Sequence, residues 1–414
     1  MPKLNAALVY RLIYFIFGLS TLIILTIHVV YRVEVAELDA LQLVLLGTAL
    51  EVTIFLCEIP TGIVADVYSR RLSAIIGIGL IGAGRAVEGL LPVFLVILVA
   101  QIISGVGQTF ISGALDAWVT DEVGADQVGP VLIAGNQMEI LGSLLGIPVG
   151  VWVSEQIGLQ AAYFAAGGLL AALVVALALW MPERGFSAVP PAQRQGWRTL
   201  FSTLRAGVQT ARLRPALMVF AVIGLFVGLF SEAWDRLAQP YLLETFSFPS
   251  LGALELSTIE WFGILNVVFL LVGLLANQIA KHAVDTTHGP AMARGLQWLY
   301  AGMVVTLLVY SLTAQFGIAL LAMVLFNGLR RVTFPLARTW INQQIDSRSR
   351  ATVLSLAGQI DALGELSGGP LLGSVGRLYS MRAALVTSAL ILSPTVPLYQ
   401  RIIAMTQPKK EEPH

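Results

Sequence analysis

The residues best suited to chemistry in this chain are carboxylates that stand inside long apolar stretches. A carboxyl group removed from water can bind a proton in one conformation and release it in another. At bilayer depth such a group costs roughly 3 kcal/mol or more, so it normally faces a cavity and has a partner. The carboxylates that we predict to bind and release protons in this way are Glu51, Glu58, Glu139, Asp361 and Glu365.

Their spacing indicates where they lie along their helices. Glu51 follows the start of its apolar stretch by about 11 residues, or about 16 Å of helix, which is close to the midplane of a bilayer. Glu58 is two turns further on nearly the same face. Glu139 and Asp361 stand beside segments rich in Gly and Pro, and Glu365 is one turn beyond Asp361. We expect the last three to converge on a cavity.

A second set of polar residues is predicted to contact a substrate. Its members are Glu232, Trp234, Asp235, Asn327, Arg330 and Arg331. Trp234 is a candidate stacking surface for an aromatic or cationic compound, with core packing as the alternative. Arg236 can reach Glu232 at i, i+4 spacing.

The adjacent arginines of the tenth apolar stretch also need partners. Arg330 or Arg331 is expected to meet Asp361 or Glu365 on a neighbouring helix. Such pairs hold helices together or serve transport, and the sequence leaves both alternatives open.

Composition excludes several classes of function. Only 12% of the 414 residues are charged and 57% are hydrophobic, whereas a soluble domain carries about 25% charged residues. Equal numbers of acidic and basic residues, 25 each, provide no net field for nucleic acid. The single cysteine, Cys57, and four histidines argue against a disulfide or a zinc site. No nucleotide-binding or nucleophile motif is present, so we predict neither an enzyme nor a bound metal or cofactor.

The elements that position these residues are membrane-spanning helices. A bilayer core of about 30 Å requires about 20 apolar residues in a helix, because every backbone polar group must be satisfied within the segment. The sequence predicts an all-α polytopic membrane protein with twelve such spans. They are residues 6–30, 40–66, 70–90, 92–121, 128–154, 158–181, 215–242, 256–281, 290–313, 315–342, 350–376 and 380–404.

The distribution of Lys and Arg predicts the orientation in the membrane. Basic residues gather in alternate loops, while the opposite loops hold little beyond Arg32, Arg377 and Arg382. This asymmetry predicts that both termini are cytoplasmic. The apolar stretch after Met1 lacks a small-residue cleavage site, so we interpret it as the first helix. We expect the inner membrane of a bacterium.

One polar segment divides the chain into two halves. Between the sixth and seventh spans, Trp197, Leu200 and Phe201 recur at helical spacing among arginines, as in an amphipathic helix on the inner leaflet. An ordinary exposed linker helix is the alternative. The predicted domains are residues 1–182 and 215–404 as six-helix bundles, 183–214 as linker and 405–414 as a tail.

The two halves contain an internal repeat. The fifth and eleventh spans align at an offset of 222 residues, which matches Gln137 with Gln359 and Glu139 with Asp361. Glycines permit close approach of helices, and a proline removes one helical hydrogen bond, so both spans are predicted hinges. The hinge residues are Gly142, Gly146, Pro148, Gly364, Gly368 and Pro370.

The segment between the second and third spans resembles motif A of the major facilitator superfamily, in which a glycine, an aspartate and a basic pair form a cytoplasmic latch. The matching residues are Gly62, Asp66, Arg70 and Arg71. Val67 and Ser69 depart from the usual residues. The resemblance covers essentially the whole chain, with twelve helices divided six and six.

The resemblance implies partners for this latch. Asp66 is expected to lie against the N-terminus of the eleventh span near Arg350, where a carboxylate meets the helix dipole. The basic pair is then expected to meet Asp121 or Glu122 at the end of the fourth span. The alternative is a loop that is basic only because it is cytoplasmic.

Two further segments bear on the branch of the superfamily. The stretch from Gly142 to Gly150 resembles motif C, which is associated with drug/proton antiporters, with Pro148 one residue late. Generic packing of small residues is the alternative. Gln101 stands where the family's motif B carries a buried arginine, which argues against a coupling scheme built on that arginine.

These features lead to a functional hypothesis with two competitors. We expect a monomeric, proton-coupled exporter of small lipophilic or amphiphilic compounds, embedded in lipid and working by alternating access. The second interpretation is an uptake carrier in which Arg330 or Arg331 clamps an organic anion. The third is a membrane sensor that transports nothing.

Overall fold

The fold was analysed in a computed structural model of the chain. It describes residues 4–188, 205, 215–250, 252, 255–283, 289–344 and 350–406. The amphipathic helix predicted in the linker and the predicted tail at 405–414 fall almost entirely outside the described residues.

Helices account for all twelve predicted spans. In chain order they are α1 (Ala6–Val30, extended by a π-helical turn Tyr31–Val35), α2 (Ala40–Val67), α3 (Arg70–Leu90), α4 (Phe94–Ile111), α5 (Ala114–Val123), α6 (Val128–Gln156), α7 (Leu159–Trp180), α8 (Pro215–Thr245), α9 (Thr258–Ala283), α10 (Gly289–Leu312), α11 (Phe316–Gln344), α12 (Arg350–Leu378), α13 (Met381–Leu392) and α14 (Thr395–Thr406).

Local sequence explains where several helices begin and break. Asp39 caps α2 by accepting from Gln42 N at 2.8 Å, while the Gln42 side chain accepts from the Asp39 backbone at 3.0 Å. The fourth predicted span is two helices, because Gly113 adopts φ +70° between α4 and α5, a conformation that glycine tolerates best. The twelfth span is likewise split, into α13 and α14.

Length and composition agree with a membrane protein. Among the described residues, eleven helices or joined helix pairs are long and apolar enough to cross a bilayer. The helix outside this set is α12, which has sufficient length at 29 residues. Its apolar residues are diluted by Gln359, Asp361 and Glu365, as suits a helix that faces a polar interior.

The chain divides into two compact units. The first comprises residues 1–42, 49–197 and 249–267, and the second comprises 43–48, 198–248 and 268–414, as far as they are described. In the first unit α1 packs on α6 and α7, and α3 packs on α4 and α7. In the second, α8 packs on α12, α13 and α14, and α10 packs on α11.

Corresponding glycines make the same contacts in each unit. A Cβ atom on Gly146 would overlap the carbonyl oxygen of Leu19, and one on Gly368 would overlap that of Leu229. A Cβ atom on Gly142 would overlap the carbonyl oxygen of Phe15 in α1, and one on Gly364 would lie 2.7 Å from that of Leu225 in α8. The predicted fold, an all-α membrane protein of two related six-helix bundles, is therefore confirmed. The helices α6 and α12 continue through Pro148 and Pro370.

Candidate functional site

The second unit contains a cavity of about 370 Å³ between α8, α10, α11 and α12. Its walls are largely apolar and aromatic. The aromatic and polar lining residues are Phe220, Phe230, Ser231, Tyr300, Arg330, Thr333, Phe334, Arg338, Asp361 and Glu365. A cavity of this volume and composition is typical of a small-molecule site.

Two predicted proton-coupling residues face this cavity. Asp361 and Glu365 lie one turn apart on α12 and both line its wall. Their charges act on the guanidinium of Arg330 from α11. The structure thus places Asp361 and Glu365 beside one cavity, whereas Glu139, which was predicted to converge with them, is not among its lining residues.

The direct partner of Arg330 differs from the sequence prediction. Its guanidinium forms a two-pronged ion pair with Asp235 of α8, in which Nη2 donates to Oδ2 at 2.8 Å and Nη1 donates to Oδ1. The expected contact partners, Asp361 and Glu365, influence it only as neighbouring charges. The prediction was wrong because helix spacing along the sequence does not reveal which face of α8 turns toward α11.

Trp234 belongs to the helix core and not to the cavity wall. Only 4% of its surface is exposed, and its ring centroid lies 3.9 Å from that of Phe326 and 5.4 Å from that of Tyr310. Trp234 is absent from the lining residues. The predicted stacking surface is therefore corrected to the alternative, core packing.

Three other predicted substrate contacts also lie away from the cavity wall. Glu232 is 3% exposed and pairs with Arg236 at 3.7 Å, which confirms the predicted i, i+4 contact. The Asn327 amide donates to the carbonyl of Met323 at 2.9 Å. Arg331 is exposed and runs beside Gly273 of α9. Of the arginines predicted to contact substrate, Arg330 is the one that lines the cavity.

The carboxylates of the first unit have different surroundings. Glu139 on α6 is half-buried and acts electrostatically on Tyr14 of α1. Asp116 accepts hydrogen bonds from Tyr10 at 2.7 Å and Tyr14 at 3.3 Å. The carboxylates of α5 and α6 therefore lie near the phenol groups of α1.

The two glutamates of α2 differ in exposure. Glu51 is partly buried, whereas Glu58 is exposed and accepts a hydrogen bond from Ser112 at 3.2 Å. Glu58 therefore lies at the break between α4 and α5.

A buried charge network in the first unit was missed by sequence reasoning. The Glu88 carboxylate accepts from Arg32 Nε at 2.8 Å, from Gln101 at 2.9 Å and from Tyr163 at 3.0 Å. Gln101, the departure from motif B, thus supplies a neutral donor to a carboxylate. The detectable signal was the pair Arg85 and Glu88, which stand one turn apart within an apolar span.

The motif A segment makes the contacts expected at the end of the fourth span. Arg70 forms an ion pair with Asp121 and donates to the carbonyl of Ala117 at 3.1 Å, which confirms the predicted pairing. Glu183 accepts from Ser69 Oγ at 2.7 Å and from the Arg71 backbone at 2.9 Å.

The other predicted contact of this latch is that of Asp66 with the start of α12 near Arg350. The side chain of Arg350 lies outside the described residues. A Cβ on Gly62 would meet nothing within 4 Å.

In the described ranges, no group of three or more His, Cys, Asp or Glu side chains is arranged to hold a metal ion.

Comparison with known proteins places this geometry among transporters. A profile of the Major Facilitator Superfamily matches residues 6–369. The MFS-type transporter YxaM of Bacillus subtilis (strain 168), described as uncharacterized, is 23% identical over 390 residues, covering 92% of each chain. A point mutant of the nucleoside transporter NupG superposes with a TM-score of 0.77 at 13% identity, over 97% of this chain and 100% of that one.

A bacterial homologue of the human lysosomal transporter Spinster has a TM-score of 0.72 at 14% identity, and the likeness covers 97% of each chain. At such identities the structural likeness shows a shared fold and says nothing of a shared substrate.

Proposed function

The chain belongs to the major facilitator superfamily, and from this membership we propose that it is a secondary transporter that exports small lipophilic or amphiphilic compounds in exchange for protons. Membership establishes a multi-pass integral membrane protein that carries a small-molecule substrate and is not an enzyme. The direction, the coupling ion and the substrate class are the content of the proposal.

The cavity of the second unit carries the proposal. Phe220, Phe230 and Phe334 offer apolar surface to the body of a substrate, while Asp361 and Glu365 face the same space. Carboxylates at this depth are costly unless they serve a purpose such as proton binding. A substrate and protons can compete for such a wall, and that competition is what links their movements in an exchanger.

Proton coupling in the proposal involves both units. Glu139 occupies the position in α6 that Asp361 occupies in α12, since a Cβ atom on Gly18 would overlap the carbonyl oxygen of Glu139 and one on Gly228 would overlap that of Asp361. Glu51 and Glu58 on α2 are the remaining candidates. The rocking of residues 1–182 against 214–404 about α6 and α12 would expose these groups alternately.

Vesicle transport tests the proposal. Inverted membrane vesicles energised with a proton gradient should accumulate a fluorescent amphiphile when they contain the protein and release it when the gradient collapses. Glu139→Gln should abolish substrate-driven proton movement. Accumulation that persists without a gradient would contradict proton coupling, and accumulation only in right-side-out vesicles would contradict export.

One observation favours a second function, the carriage of an organic anion. Arg338 lines the cavity beside Phe334, with its Cζ 5.3 Å from the ring centroid. Arg330, by contrast, is already neutralised by Asp235. If the protein carries an organic anion, the Glu139→Gln variant should retain anion uptake while it loses proton movement.

We also propose the bacterial inner membrane, with both termini cytoplasmic and a monomer surrounded by lipid. The asymmetry of Lys and Arg between alternate loops supports the orientation. Labelling of cysteines introduced at residues 5 and 406 from either side of the membrane would test it.

A further inference from the structure

A guanidinium lies in the interior of the first unit with only neutral hydrogen-bond partners. Arg85 extends from α3 to α1, where Nη2 donates to Thr21 Oγ1 at 2.9 Å and Nη1 donates to Ser20 Oγ. Its Cζ lies 5.8 Å from the centroid of the Phe17 ring. Within the described part of the chain, no carboxylate forms an ion pair with Arg85.

The acidic side chain that acts on Arg85 already has a charged partner. Glu88 is one turn from Arg85 on α3 and influences it electrostatically. Both Glu88 oxygens, however, accept hydrogen bonds from other groups, with Arg32 as the charged partner and Gln101 and Tyr163 as neutral ones. Arginine remains protonated in proteins. Because Arg32 forms the ion pair with Glu88, that carboxylate does not neutralise Arg85.

Arg85 can be reached from one side of α1. Tyr14, Phe17 and Thr21 follow one another at helical spacing, so they lie on the same face of α1, and all three are partly exposed. Arg85 itself is partly buried. Of its five N–H donors, the hydroxyls of Ser20 and Thr21 receive two. Three N–H donors remain on a guanidinium that lies beside the Phe17 ring.

We propose that Arg85, together with Thr21 and Phe17, binds the carboxylate of an organic acid, and that the transported amphiphile therefore carries an anionic group. A single guanidinium matches the charge and the two oxygens of a carboxylate. The Phe17 ring and the apolar face of α1 suit a hydrocarbon or aromatic body. This inference rests on the proposed transport of an amphiphile and adds its chemical class.

The proposal can be tested by placing an acidic side chain next to Arg85 within the protein itself. Thr21→Asp places a carboxylate next to Nη2 and should neutralise Arg85, whereas Thr21→Asn has nearly the same shape without the charge. The probe is benzoate, with benzamide as a neutral analogue at the same ionic strength, titrated calorimetrically into the purified full-length protein. We expect wild type to bind benzoate in preference to benzamide.

The variants have distinct expected results. Thr21→Asp and Arg85→Gln should bind benzoate roughly ten- to a hundredfold more weakly than wild type, because a charge-assisted hydrogen bond is lost. Arg11→Gln removes an exposed charge from α1 and should leave the affinity close to wild type. The Thr21→Asn protein should bind at least about tenfold more tightly than Thr21→Asp.

Three outcomes would overturn the proposal. These are equal affinity for benzoate and benzamide in wild type, undiminished benzoate binding by Thr21→Asp, and loss of binding by Thr21→Asn to the same extent as by Thr21→Asp. Because Thr21→Asp forms an internal ion pair, it remains informative if Arg85→Gln fails to fold. Binding at equilibrium needs no proton gradient, so a failure here is distinguishable from a failure of proton coupling in vesicles.

Discussion

At the scale of single residues, the orientation and charge balance of the Arg330 guanidinium depend on its ion pair with Asp235. Its fork on Asp235 uses both carboxylate oxygens and leaves Asp361 and Glu365 beside the cavity. A bidentate pair of this kind fixes the orientation of the guanidinium as well as its charge. Asp235 therefore neutralises a guanidinium that lines the cavity, although Asp235 itself is absent from the lining residues.

Replacement of Asp235 should show how much its ion pair with Arg330 contributes to stability. Asp235→Asn leaves Arg330 without its counter-ion and should lower the free energy of unfolding by about 1–3 kcal/mol. The double variant Asp235→Asn with Arg330→Gln should recover part of that loss, since neither charge is then unpaired. Denaturation in detergent, followed by tryptophan fluorescence, would measure the cycle. Strictly additive losses would show that the pair does not couple.

Neutral substitutions of the two cavity carboxylates should test whether these groups release protons when substrate binds. Asp361→Asn keeps shape and hydrogen bonding but cannot ionise, so substrate-induced proton release in detergent should fall by at least about tenfold. Glu34→Gln, an exposed carboxylate at the end of α1, serves as the matched control and should release protons like wild type. Unchanged proton release by both Asp361→Asn and Glu365→Gln would remove the cavity from the coupling mechanism.

At the scale of elements, the backbone contacts of α12 with α8 decide what the glycines do. A Cβ on Gly364 would lie 2.7 Å from the Leu225 carbonyl oxygen, whereas one on Gly358 of the same helix would meet nothing within 4 Å. In the sequence, both residues are glycines of a predicted span that also carries several polar residues. Only the packed structure distinguishes the glycine that is needed from the one that is not.

This difference leads to a matched pair of substitutions. Gly364→Ala should destabilise the protein by about 1–3 kcal/mol through overpacking. Gly358→Ala should leave stability equal or raise it by up to about 1 kcal/mol, because alanine favours helix. Thermal denaturation in the same detergent would compare them. The packing argument fails if the two variants have the same midpoint.

The cytoplasmic contact between α3 and α5 permits a charge-reversal test. Arg70→Asp opposes Asp121 and should reduce the transport rate severalfold. The double variant Arg70→Asp with Asp121→Arg restores opposite charges and should recover a substantial part of the rate. Recovery measured in vesicles would support a gating role for the pair, while equal inactivity of single and double variants would indicate that Arg70 acts through another contact, such as the carbonyl of Ala117.

At the scale of the whole molecule, each compact unit contains a segment from the other half of the sequence. Residues 43–48 belong to the second unit and residues 249–267 to the first. Neither half of the sequence is therefore a complete unit.

Splitting the chain within residues 189–204 should reveal this interdependence. The two fragments should restore transport when they are expressed together in the same cell. Each fragment alone should be degraded rapidly, because each lacks a packed segment of its unit. Protease resistance of a single fragment, measured in isolated membranes, would instead establish an independently stable half.

The order of amino acids was sufficient to predict the membrane class, the twelve spans, the repeat and part of the set of ionisable residues within the spans, from which Arg85 and Glu88 were missing. These are local or periodic properties, and a helix in lipid satisfies its backbone within its own segment. The i, i+4 contact of Glu232 with Arg236 was predictable for the same reason.

Packing between helices, in contrast, was needed to learn how charges are shared among them. The rotation of each helix about its axis, which depends on all its neighbours, assigned Asp235 to Arg330, buried Trp234 and neutralised Glu88 with Arg32. It thereby left Arg85 with only hydroxyl partners. Because a turn of a few tens of degrees exchanges one facing residue for the next, spacing along the chain does not determine these partners.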